Sequence, residues 1–176
     1  MLSHVIPDRW PAGGFPGTGK RGAAGVEFFL STYRNRIDAK GRVSVPAPYR
    51  ALLARKDAES GLILGPDISA PALVAGGRDY LDGVNRRIDE LPDLHPEREM
   101  LIDGLLPFLS ELSLDQEGRI QLGAHFLEHA GLSAPGEAVF VGRRHSFQVW
   151  EPKAWEVRAA EARSKAAAYL RGEGRT

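Results

Sequence analysis

The chain has 176 residues, 43% of them hydrophobic, and its 23 basic and 23 acidic side chains cancel. It contains no cysteine, which removes disulfides, thiolate nucleophiles and Cys-based metal sites. No stretch approaches the roughly 18 apolar residues that a bilayer-spanning helix needs, and MLSHVIPDRW lacks the apolar core of a signal peptide, so a cytoplasmic protein with no membrane partner is expected.

Residues 1–27 begin the chain as an expected disordered tail, dense in Gly and Pro. Inside it, Gly14–Lys20 satisfies G-x-x-x-x-G-K. A phosphate-binding loop also needs a Ser or Thr next, a strand before and a helix after. Here Arg21 and Gly22 follow and no strand precedes, so a nucleotide site is not expected. Val26 stands directly before the first apolar run and is a candidate translation start, an idea that the intact mass of the native protein decides.

Phe28–Asp38 and Arg42–Val45 read as a strand hairpin by their apolar/polar alternation. Pro48 suits the first turn of a short helix reaching Ala54, and strands follow near Leu62–Leu64 and Ala72–Ala75. Tyr80–Leu91 and Pro96–Leu106 look helical, divided by Pro92. Strands are expected again at Leu109–Leu114 and Arg119–Leu122, then a helix Ala124–Ala130 closed by Gly131, then strands Ala138–Val141 and Phe147–Trp150. Pro152–Leu170 forms a last helix whose stripe of Trp155, Ala159, Ala162, Ala166, Tyr169 and Leu170 is expected to pack on the body or on a neighbouring subunit.

One pattern occurs twice in this series. Ile37-Asp38-Ala39-Lys40-Gly41-Arg42-Val43-Ser44-Val45 returns 77 positions later as Leu114-Asp115-Gln116-Glu117-Gly118-Arg119-Ile120-Gln121-Leu122. In each, D-x-x-G-R follows an apolar residue and opens an alternating run. Asp38 and Asp115 can accept backbone N–H groups at the start of a type I turn, while Gly41 and Gly118 let the chain turn with positive φ. One copy alone would be only a good turn. The likeness continues, however: Ala47 matches Ala124, Tyr49 matches Phe126, and Leu62–Gly65 aligns with Val139–Gly142 at the same spacing. The chain therefore reads as an internal duplication. Repeat 1 spans 28–80 and repeat 2 spans 109–152, with a helical connector at 81–108 and a terminal helix at 153–176.

Charge is uneven along this plan. Residues 31–80 hold eight basic and five acidic side chains, against three and six in 104–152, so the first repeat is the one suited to a polyanion. Its densest cluster is Arg34, Arg36, Lys40 and Arg42, opposed locally by Asp38. Such a patch can grip nucleic acid although the whole chain is neutral. An arginine on a two-stranded ribbon in the major groove can bind guanine O6 and N7 together, and Arg34 and Arg36 are placed for phosphates. The competing reading is that Arg42 and Arg119 only brace their own turns against Asp38 and Asp115.

Enzymatic chemistry finds little support. His125 and His129 have the i, i+4 spacing of two metal ligands, but no third ligand is indicated. No G-x-S-x-G elbow is present. Neither cofactor, metal nor small-molecule substrate is expected.

At the D-x-x-G-R repeats the chain resembles the MraZ family of bacterial transcriptional regulators. FLSTYRNRIDAKGRVSVPAPYR, the helix HFLEHAGL after the second motif, and VFVGRRHSFQVWEPKAW carry the likeness, over about residues 28–158. The resemblance implies two SpoVT/AbrB-like units in one chain, folded as an α+β, mainly β, swapped-hairpin barrel with a pseudo-two-fold. It also implies a homo-oligomeric ring, nucleoid location, and binding to G-rich direct repeats of double-stranded promoter DNA, chiefly to repress the chain's own division and cell-wall operon. Carried over as DNA-binding residues are Arg42 and Arg119, with Lys40 beside the first. The second loop departs from the first by having Gln116-Glu117 in place of Ala39-Lys40, so Arg119 is expected to contribute less. The alternative is a ring-forming protein-interaction module carried by the acidic 81–103 segment and the Trp155 stripe.

Overall fold

The computed structural model describes residues 28–56 and 61–172. The expectations for the tail and its Gly-rich motif lie outside the described residues. Repeat 1 supplies strands β1 (Thr32–Ile37), β2 (Arg42–Ser44), β3 (Leu62–Pro66) and β4 (Ala72–Gly76). Repeat 2 supplies β5 (Ser110–Leu112), β6 (Arg119–Gln121), β7 (Gly136–Arg143) and β8 (Ser146–Trp150). Among the described residues five α-helices accompany them: α1 (Ala47–Lys56), α2 (Arg78–Asp89), α3 (Pro96–Leu105), α4 (Ala124–His129) and α5 (Pro152–Leu170). The fold is thus α+β and mainly β.

All eight strands join one antiparallel sheet in the order β5-β3-β4-β8-β7-β1-β2-β6. The order shows that the repeats exchange strands. β1 of repeat 1 runs along β7 of repeat 2 from Thr32↔Val141 to Ile37↔Gly136, and reciprocally β5 of repeat 2 pairs with β3 of repeat 1. The ladders β2–β6 and β4–β8 hold the pseudo-two-fold: Val43 faces Ile120, its own counterpart in the other repeat. The outermost strands, β5 and β6, are joined by the second D-x-x-G-R loop, where the Asp115 N–H donates to the Arg119 carbonyl at 2.9 Å. The sheet therefore nearly closes into a barrel, and closure removes the exposed edges that invite aggregation.

The register corrects one detail of the sequence alignment. It equates Leu62 and Leu64 with Ala138 and Phe140, one position from the match by spacing. The reason is that apolar residues fill both faces of β7, so hydrophobicity cannot say which residues point inward. Ala138 and Phe140 enter the barrel core with Leu62, Leu64, Tyr49 and Phe147, whereas Val139 and Val141 form a second cluster with Ala72 and Trp150 on the outer face.

Helix α5 covers that outer cluster. Glu151 caps it by accepting from the Ala154 N–H at 2.8 Å, and Pro152 occupies the first turn, where a missing N–H costs nothing. Trp155 packs on Trp150 with tilted rings at 5.7 Å between centroids, and Ala159 is buried. Packing of the expected stripe ends there: Ala162 and Ala166 are exposed, as are Tyr169 and Leu170 at 67% and 83%. Among the described residues, the burial of this stripe is confined to the first turns of the helix. No helix among the described residues is long and apolar enough to cross a membrane.

Candidate nucleic-acid interface

The two D-x-x-G-R loops have the same internal wiring. In the first, Gly41 N–H donates to the Asp38 carbonyl at 2.9 Å and Asp38 N–H to the Arg42 carbonyl at 2.9 Å, closing a turn that Gly41 completes at φ +78°. Asp38 Oδ1 accepts from the backbone N–H groups of Lys40 and Arg42 at 2.8 and 2.9 Å. In the second, Asp115 Oδ1 accepts from Glu117 and Arg119 N–H at 2.9 Å each, with Gly118 at φ +73°. The local sequence dictates this: a short carboxylate reaches two amides of its own turn, and only glycine adopts the closing conformation without strain.

The arginines complete each loop. Arg42 donates from Nε and Nη2 to Asp38 Oδ2, both at 2.7 Å. Arg119 donates from Nε to Asp115 Oδ2 at 2.8 Å and from Nη1 to Glu117 at 2.6 Å. The brace weighed against DNA contact in the sequence thus exists in both loops. Among the described residues it leaves the Nη1–Nη2 edge of Arg42 open, and Nη2 of Arg119. Hydrogen bonding by the Arg42 backbone N–H, then by its side chain, holds the Asp38 carboxyl below its ordinary value; the Arg119 backbone and side chain do the same for Asp115. Hydrogen bonding to Asp115 holds the Arg119 guanidinium still more firmly protonated.

The loops do not project as free fingers. β1 meets β2 at one ladder pair, Ile37↔Val43, and the hairpin lies within the barrel wall. Each loop is bonded to the other repeat: Leu122 N–H donates to the Gly41 carbonyl at 2.9 Å, and Val45 N–H to that of Gly118 at 3.0 Å. The ribbon that carries both arginines is therefore β2–β6. On it Arg42 faces Gln121 and Ser44 faces Arg119, so these four side chains share the outer face while Val43 and Ile120 are buried beneath them. Separation of the motifs along the chain hides this adjacency.

Around this ribbon the remaining residues differ between halves. Arg34 pairs with Glu137 at 3.4 Å and Glu156 at 3.1 Å, so it is committed to the protein. Arg36 and Lys40 are exposed and make no ion pair among the described residues. Their counterparts in repeat 2 are Ser113 and Glu117, and that of Arg34 is Glu111. Loop 1 thus carries two cations against Asp38, whereas loop 2 carries Arg119 against two acids.

One residue near the loops has no signal in the motif itself. Arg50, on α1, lies over Gly118 of the second loop so closely that any Cβ there would collide with its guanidinium. Its only hint in the sequence is position, because it corresponds to Leu127, which packs at Gly41. Elsewhere, the buried Gln148 accepts from Arg143 Nη1 and Trp150 Nε1 and donates to Asp67. It lines a cleft of about 370 Å³ that includes no residue of either loop. His129 approaches the Asp67 carbonyl at 3.2 Å, and no cluster of potential metal ligands assembles among the described residues.

Comparison with known proteins agrees with the duplicated motif. Residues 109–171 match the family model of the MraZ protein, described as antitoxin-like. A protein named transcriptional regulator MraZ from Xanthobacter autotrophicus is 39% identical over 137 residues, which is 78% of this chain and 85% of that protein. Its namesake from Azorhizobium caulinodans is 40% identical over 149 residues, 85% of this chain and 93% of the relative. That from Beijerinckia indica is 39% identical over 140 residues, with 80% and 84% covered.

Proposed function

The chain belongs to the MraZ family of transcriptional regulators, and from that premise we propose that it is a sequence-specific DNA-binding repressor. It acts in the cytoplasm on nucleoid DNA, recognising short G-rich direct repeats ahead of its own division and cell-wall operon. The observation that carries this reading is the outer face of β2–β6, where Arg42 and Arg119 stand diagonally across the ribbon, near Arg36 and Lys40, which make no ion pair among the described residues.

The brace favours this role for Arg42. A guanidinium has five donors in a fixed plane, and Asp38 occupies only those on one edge. Held in place, Arg42 loses little side-chain freedom when Nη1 and Nη2 meet guanine O6 and N7, a contact that contributes about 1–3 kcal/mol of discrimination. Arg119 is less available, because Glu117 occupies Nη1. Lys40 and Arg36 serve phosphates, which position the ribbon without reading sequence. Arg34 moves out of this group unless DNA displaces Glu137 and Glu156.

One ribbon makes few contacts. We place the protein in a homo-oligomeric ring in which several ribbons meet successive repeats, raising affinity by about 10²–10⁴-fold through effective concentration. The exposed distal part of α5, with Tyr169 and Leu170, offers apolar surface to a neighbour. Footprinting of the purified protein upstream of its own gene is the test. Evenly spaced protection that fades steeply with salt is expected; uniform or absent protection rejects specific binding.

A further inference from the structure

The second loop has lost the lysine of the first. Glu117 stands at that position, Arg119 is committed to both Asp115 and Glu117, and Glu111 lies on the neighbouring strand. By itself this half of the ribbon would repel a phosphate. Arg50 changes that balance. It comes from repeat 1, through α1, yet sits on Gly118 of repeat 2, just as Leu127 of α4 comes from repeat 2 to Gly41 of the first loop.

Three observations bear on Arg50. Its Nε is buried and finds no acceptor among the described residues, so that one N–H is desolvated without a hydrogen bond. No carboxylate among the described residues pairs with it, although Asp115 and Glu117 belong to the same loop. The glycine beneath it leaves room for the planar guanidinium to lie against the backbone, which a side chain at position 118 would prevent. At the equivalent place over loop 1, beside Gly41, repeat 2 has the neutral Leu127. The cations are thus distributed crosswise: Lys40 belongs to the first loop, and Arg50 is lent by repeat 1 to the second.

We propose that Arg50 forms, on the Gly118 backbone, a phosphate-contacting site that takes the place of the missing lysine in the second loop. The inference rests on the DNA-binding reading above and goes beyond it in giving loop 2 a phosphate ligand from outside its motif. An incoming phosphate oxygen would meet the terminal nitrogens of this half-buried guanidinium, as a charge-assisted bond.

The test is a fluorescence-anisotropy titration of the full chain with duplex DNA from upstream of its gene, over a salt series, with Arg50→Met and Arg50→Lys. Met keeps the packing stem and removes the charge; Lys keeps the charge. Arg50→Met should bind about tenfold more weakly at about 0.1 M salt and lower the slope of log K against log salt by about one. Arg50→Lys should restore most of both, and melting temperatures should stay close to the parent. An unchanged slope in Arg50→Met, whether or not its melting temperature falls, makes Arg50 a packing strut and overturns the proposal. If Arg50→Met fails to fold, Arg50→Lys decides: parental affinity and slope support a charge contact, loss of affinity with a parental slope overturns it. Absence of binding by the parent chain itself would instead reject DNA recognition as a whole.

Discussion

Replacing Glu117 by lysine should make the protein bind DNA more tightly, and a gain cannot be mistaken for misfolding. The substitution gives loop 2 the cation that Lys40 gives loop 1. It also removes the carboxylate that holds Arg119 Nη1 at 2.6 Å, freeing that edge of the guanidinium. Each additional phosphate contact steepens the dependence of log K on log salt by about 0.9. For one engaged protomer this means roughly fifteenfold tighter binding at about 0.05 M salt, and roughly fourfold at about 0.2 M. The stability lost with the exposed Arg119–Glu117 pair is small, about 0–1 kcal/mol, so the fold should hold. Anisotropy titrations across a salt series read both quantities. Binding that stays equal or weakens, with no change in slope, would refute the placement of loop 2 against the DNA backbone.

Four other outcomes are expected. Arg42→Ala should abolish the shifted band in a mobility assay while calorimetry shows a loss of no more than about 1 kcal/mol, because Asp38 keeps its bonds from the Lys40 and Arg42 amides. Arg119→Ala should weaken binding less, its guanidinium being half spent on Glu117; equal loss for both in parallel titrations would remove the asymmetry. Gly41→Ala should destabilise more than Gly118→Ala by chemical denaturation. Both residues have positive φ, but a Cβ at 41 meets the rigid Leu122 carbonyl at 2.8 Å, whereas at 118 it meets a flexible arginine. Finally, the depressed carboxyls of Asp38 and Asp115 stabilise the fold at any pH above the ordinary carboxylate value of about 4, and that stability is lost as pH falls through their lower folded values. Asp38→Asn should flatten this acid limb in thermal melts; an unchanged limb would dissociate the turn from acid sensitivity.

Local features were legible in the sequence where local physics decides them. Asp38 and Gly41 specify their turn within five residues, so the loop's hydrogen bonding follows from residue type alone. Pro152 and Gly131 similarly mark helix ends. Strand partners did not follow, because they depend on pairing across the repeats: a reader of the chain sees the hairpin β1–β2, yet β1 makes most of its ladder with β7. The site inherits the same limit. Arg42 and Arg119 announce themselves by motif, but their shared ribbon arises only from the β2–β6 ladder. Arg34 looks like a member of the cationic cluster until Glu137 on β7 and Glu156 on α5 arrive beside it. Arg50 is invisible, since nothing near it in sequence belongs to loop 2.

Fusion of the repeats into one chain explains why such differences can accumulate. Two separate identical units exchanging strands would be held by a true two-fold axis, so both loops would carry the same residues and the ribbon would present the same charge in either direction. In the tandem chain only the buried positions must stay matched: Val43 with Ile120, Val45 with Leu122, Tyr49 with Phe126. The outward positions are free, and they diverge at Arg34 and Glu111, Arg36 and Ser113, Lys40 and Glu117, Arg50 and Leu127. The pseudo-two-fold ribbon thereby gains a direction, one end strongly cationic and the other nearly balanced. A symmetric ribbon reads a half-site equally well in both orientations and suits palindromes. A directed ribbon prefers one orientation, which is what successive copies around a ring would need to engage repeats that all point the same way. Inverting one repeat in a two-repeat duplex should therefore cost affinity that inverting both restores, as a competition titration would measure. Indifference to orientation would mean that the charge difference between the loops never meets the DNA.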